Sequence, residues 1–92
     1  MIRTFRDKET EKLYLAGRSR RFQNCARQAF QKLRMLDAAR DLKDLGALPG
    51  NRLEALKGDR GGEYSIRIND QYRICFRWSN AGAKSVEVVD YH

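Results

Sequence analysis

The chain predicts an α+β fold, with an N-terminal strand and helices packed on one face of a mainly antiparallel sheet. Three observations carry this. Residues 72–78 (YRICFRW) alternate strictly, placing Tyr72, Ile74, Phe76 and Trp78 on one side of a strand and Arg73, Cys75 and Arg77 on the other. Upstream, Phe22, Cys25, Ala26, Ala29, Phe30, Leu33 and Leu36 recur at helical spacing, the stripe of a helix lying on a core. The period changes at Arg52, beyond which the chain reads as strands. Helices followed by an antiparallel meander leave one sheet face covered and the other uncovered.

In chain order, residues 2–5 predict a short strand. Asp7 is a candidate N-cap for a helix running to about Leu15, and Gly17 is its stop. Ser19 is expected to cap the second helix. Asp37 is expected to restart a shorter one carrying Ala39, Leu42 and Leu45, closed by Gly46. Pro49 and Gly50 mark a loop. Four strands follow, over residues 52–56, 63–69, 71–78 and 84–91. Asn69 and Asp70 suit a tight hairpin turn, and residues 79–82 a longer one. Tyr64, Ile66 and Ile68 are expected to face inward, and Ser65, Arg67 and Asn69 outward. With 92 residues and no repeats or linkers, one domain spans 1–92 and buries roughly 65% of its unfolded surface.

The charge balance narrows the partners. A formal net charge of +7 and a pI near 9.9 favour a polyanion. Residues 18–34 hold Arg18, Arg20, Arg21, Arg27, Lys32 and Arg34 with no acid among them. Such a run either forms a solvated face or meets an anionic partner. No apolar run approaches a membrane span, and MIRTFRDKE lacks the apolar middle of a signal peptide, so a cytoplasmic protein is expected. Cys25 and Cys75 are expected to be buried free thiols.

The uncovered face carries the chemistry. Arginine forks and lysines bind a phosphodiester. Cutting RNA without a metal also needs a base for the 2'-hydroxyl, an acid for the 5'-oxygen and charge on the phosphorane. Lys57, Arg60, Arg67, Arg73 and Arg77 are the cations expected there, open to water or an anion because apolar cover over an arginine is costly. The titrating groups are His92, Asp90, Tyr91 and Glu54. The acids do not cluster at ligand spacing, so no metal and no cofactor is expected. Cys75, outward among arginines, is expected to have a lowered pKa. The glycines of LKGDRGG precede a strand, so they form a tight connection that brings Lys57 and Arg60 to the sheet, not a phosphate cradle at a helix.

The combination LKGDRGGEYSIRINDQYRICF, with the ending VEVVDYH and the opening MIRTF, closely resembles HigB-like toxins of the RelE superfamily. The resemblance covers essentially the whole chain. It implies a microbial ribonuclease fold and a ribosome-dependent, metal-independent endoribonuclease that cuts mRNA in the ribosomal A site. It also implies a HigA-type helix-turn-helix antitoxin, with operator DNA bound through the complex. Residue by residue it points to Asp90, Tyr91 and His92 as catalytic, with Arg73 and Lys57 on the phosphate. At Glu54 the best-studied family pattern has a histidine. A carboxylate among cations is a weaker base than imidazole, so the base is Asp90 or Glu54. His92 is the expected acid, and Tyr91 would stack on a base or fix the phosphate. Two other functions fit the same residues: a non-catalytic ribosome- or RNA-binding growth inhibitor, and a DNA-binding regulatory subunit. The second is opposed by the lack of a recognition helix.

Overall fold

The computed structural model describes residues 1–90. Helix α1 (Lys8–Ala16) starts at Asp7, whose side chain accepts from the Thr10 amide. It ends at Gly17 in the left-handed region (φ 75°), as expected. Helix α2 (Ala26–Ala38) starts later than the sequence predicts, from Cys25 and without a side-chain cap. Ser19 caps nothing there; it is buried and donates to Glu9 Oε1 at 2.7 Å, tying the connecting segment to α1. Helix α3 (Leu42–Gly46) is capped by Asp41 in a reciprocal capping box with Asp44. Asp37 still lies within α2 and accepts from the Ile2 amide at 2.7 Å, anchoring the N-terminus.

Among the described residues the sheet has four antiparallel strands in sequence order, β1 (Glu54–Ala55), β2 (Glu63–Arg67), β3 (Tyr72–Ser79) and β4 (Gly82–Asp90). The first strand is shorter than expected because Arg52 takes a left-handed conformation (φ 43°) closing the turn Pro49–Asn51, and a second turn, Gly58–Arg60, follows at once. Asn69 builds the β2–β3 turn by accepting from the amides of Gln71 and Tyr72, both at 2.8 Å. The β3–β4 hairpin is the tighter one, with Ser79 paired to Gly82. The expected N-terminal strand is reduced to two parallel bridges on the outer edge of β4, Ile2 to Ala83 and Phe5 to Val86.

The predicted inward set forms the core. Leu13, Ala29, Leu33, Leu36 and Leu45 from the helices meet Ile66, Ile74, Phe76, Val86 and Val88 from the sheet, all buried. Each of these side chains larger than Ala29 contributes about 1.5–3 kcal/mol by leaving water. Cys25 and Cys75 are both free and buried. Among the described residues no helix is long and apolar enough to cross a membrane.

Candidate active site

The sheet face opposite the helices is set by register. Ser65 faces Cys75, Cys75 faces Glu87, Arg67 faces Arg73, and Glu54 faces Ser65, so these side chains share one surface. That surface is less open than the sequence predicts. Arg73 is 7% exposed and Ser65 and Cys75 are fully buried. The cover is polar, which removes the cost that an apolar lid over an arginine would carry. Arg73 Nε donates to Ser65 Oγ at 2.9 Å, and its Nη2 donates to the Arg52 carbonyl at 2.6 Å. The left-handed backbone of Arg52 therefore does two things: it delays the start of β1 and supplies an acceptor that fixes Arg73.

Glu54 is exposed and lies 3.7 Å from Arg73 Nη2, so a carboxylate and a held guanidinium stand together on this face. Arg67 pairs with Asp70 at the hairpin end. Arg77 is exposed, and its guanidinium lies against Gly62, where an added Cβ would meet Nη1 at 3.1 Å. Lys57 is exposed at the start of the glycine-rich connection. Among the described residues neither Lys57 nor Arg77 makes an ion pair.

Arg60 is placed differently from a free cation. It donates to Glu63 Oε1 at 3.0 Å and Glu87 Oε1 at 2.8 Å, and the Glu87 hydrogen bond raises its already high pKa further. The expectation for Cys75 is overturned. Burial pushes its thiol up, and the opposing pull of Arg60 is smaller, so no thiolate is prepared here.

Asp90 faces Tyr72 in the ladder, which puts it on the helix side of the strand end, away from the Arg73 surface. It accepts from Gln71 Nε2 at 3.0 Å. A cavity of about 350 Å³ wraps the end of β4 here, bringing Asp90 and Arg21 to one opening with Arg60 and Glu87. Tyr91 and His92 lie outside the described residues. Among the described residues no three His, Cys, Asp or Glu side chains form a group able to hold a metal ion.

The basic run divides in use. Arg34 stacks on Tyr14 and Phe30, with its guanidinium carbon 4.6 and 5.0 Å from the ring centres, and Lys32 donates to buried Asn51. Arg18 and Arg20 instead line a separate cavity of about 600 Å³ with Lys12. Sequence reasoning missed Arg6, Ser65, Glu63, Glu87 and the Arg52 carbonyl. Alternation alone placed Glu63 and Ser65 on the right face, but only the register of β4 brings Glu87 beside them.

The sequence model of the HigB-like toxins, described as RelE-like toxin of type II toxin-antitoxin system HigB, matches residues 3–92. The chain is 41% identical over 80 residues to Toxin HigB-1 of Vibrio cholerae serotype O1, covering 85% of this chain and 84% of that protein. It is 34% identical over 61 residues to Endoribonuclease HigB of Proteus vulgaris, covering 66% and 65% respectively. In fold it is similar to a chain of the YoeB-YefM complex from Staphylococcus aureus. That match has TM-score 0.58 and 21% identity, over 100% of this chain and 98% of that one.

Proposed function

From the premise that the chain belongs to the HigB-like family of RelE-like toxins of type II toxin-antitoxin systems, we propose that it is a metal-independent endoribonuclease acting on mRNA in the ribosomal A site, in the cytoplasm. The observation that carries this reading is the pairing of Arg73 with Glu54. A guanidinium fixed by Ser65 and Arg52, beside an exposed carboxylate, suits a phosphate and its neighbouring 2'-hydroxyl.

Arg73 and Lys57 hold the scissile phosphate, and Arg67 and Arg77 track the strand on either side. Glu54 shares the face of Arg73 and serves as the base, drawing the proton from the 2'-hydroxyl. The 2'-oxygen then attacks phosphorus, and the 5'-oxygen leaves with a proton from His92, giving a 2',3'-cyclic phosphate and a free 5'-hydroxyl. Tyr91 stacks on a base next to the cleaved bond. Asp90 is the alternative base, supported by its place at the cavity shared with Arg21 and Arg60. The roles of Tyr91 and His92 rest on the family likeness. The partner in the cell is a HigA-type helix-turn-helix antitoxin, and operator DNA is bound only through that complex.

The test is to incubate the protein with translating ribosomes and map mRNA 5' ends. Wild type is expected to cut, with Arg73→Ala and His92→Ala reduced by about 10²-fold or more. Glu54→Gln beside Asp90→Asn identifies the base by which loss is larger. Circular dichroism on each variant confirms folding. If wild type leaves mRNA whole, or if both Arg73→Ala and His92→Ala cut as wild type does, the nuclease reading falls and the basic surface is a binding surface only.

A further inference from the structure

Beside this site four side chains close a ring on the open face of the sheet. Arg6 lies 3.4 Å from Glu63 and 3.7 Å from Glu87, while Arg60 lies 3.0 Å from Glu63 and 2.8 Å from Glu87. Each guanidinium reaches both carboxylates, and each carboxylate reaches both guanidiniums. Glu63 is 3% exposed and Glu87 17%, so these charges are held out of bulk water and depend on one another. The ring joins three distant parts of the chain: the N-terminal segment, the connection after β1 together with the start of strand β2, and strand β4.

One of those parts has little else to hold it. The connection over residues 57–62 contains three glycines, with Gly58 and Gly62 at φ 65° and 88°. Its internal backbone bond, Gly61 to Gly58, does not attach it to the sheet. Among the described residues Arg60 supplies its side-chain tether, through Glu63 and Glu87. Lys57 opens this connection and Gly62, against Arg77, closes it.

We propose that Glu63, Glu87 and Arg6 are positioning residues, which fix the connection through Arg60 and so hold Lys57 over the scissile phosphate. This rests on the nuclease reading for Lys57, and it gives Arg60 the part of an anchor instead of a substrate cation. Two carboxylates already pair with its guanidinium, whereas Lys57 and Arg77 make no ion pair among the described residues. A single guanidinium fork suits the task, because a lysine ammonium cannot bridge two carboxylates in one plane.

Two variants test this. Glu87→Gln keeps the volume and removes one ring charge. Arg60→Lys keeps the charge and removes the fork. Amide exchange over residues 57–62 is expected to rise about tenfold in both while exchange in α2 stays unchanged, as for a local opening. Cys75, buried directly opposite Glu87, is expected to be alkylated faster.

On translating ribosomes, kcat/KM is expected to fall about tenfold in both variants, and Glu87→Gln should cost nothing further in a Lys57→Ala background. Simple attraction predicts the opposite sign for Glu87→Gln, which raises the net charge by one and would strengthen RNA binding. Unchanged loop exchange, undiminished cleavage by Arg60→Lys, or additive losses with Lys57→Ala would each overturn the proposal. Exchange and alkylation need no RNA. Absence of cleavage by wild type therefore removes the nuclease reading, while the tether is judged on those two measurements.

Discussion

At the scale of single residues, buried hydrogen-bond partners decide more than charge type does. Thr10 shows this outside the site. It is fully buried on α1, and its Oγ1 accepts from the Val88 amide at 3.0 Å, satisfying an edge N–H of β4 that the sheet leaves unpaired. Thr10→Val preserves the shape and removes the acceptor. Urea unfolding is expected to show a loss of about 1–3 kcal/mol, with Thr10→Ser retaining most of it. Arg73 follows the same logic in the site. The sequence shows an arginine facing outward from a strand, but its burial depends on Ser65 and the Arg52 carbonyl. The second of these is a backbone atom, and no side-chain pattern announces it.

At the scale of elements, the long periodic segments and the caps of α1 were legible, and the starts of α2 and α3 were not. The alternation of β3 and the stripe of α2 predicted the faces they bury, because burying an apolar side chain is a large, repeated term that fixes register. Caps are single hydrogen bonds for which several residues compete, so Ser19 and Asp37 looked like helix starts and were spent on Glu9 and Ile2 instead. The N-terminal segment is a similar case, since its place on β4 is set largely by backbone bonds: Arg3 N to Ala83 O at 2.7 Å, and Ala83 N to Met1 O at 2.9 Å. Gly82 makes this approach possible. It sits at φ 120°, and a Cβ there would fall 2.0 Å from the Met1 carbonyl oxygen. Gly82→Ala is therefore expected to lift the segment off and cost on the order of 2–4 kcal/mol. It would also expose the β4 edge, so amide exchange at Ala83 should accelerate and aggregation rise with concentration.

At the scale of the whole molecule, the candidate site was half legible. A basic surface was visible in composition, and Glu54, Lys57, Arg73 and Arg77 were named from types and alternation. The acids that moderate that surface were invisible as a group, because Glu63 and Glu87 are brought together only by the pairing of three strands. The same folding buries both thiols, and this sets how the protein responds to alkali. Burial pushes Cys25 and Cys75 above their ordinary values, and Tyr14 is raised by burial together with its hydrogen bond to Asp37. Groups whose folded pKa is raised stabilise fully while the unfolded chain also keeps the proton. Once the unfolded thiols begin to ionise, near about pH 8.5, the unfolded state binds fewer protons than the folded one and stability declines. The urea midpoint is thus expected to hold through neutral pH and to fall steadily above about pH 8.5, with the tyrosine adding to the slope near about pH 10. Replacing both cysteines by alanine lowers the midpoint at every pH through lost packing, but should flatten the decline between those values. An equally steep decline in the double variant would show that the thiols do not carry it.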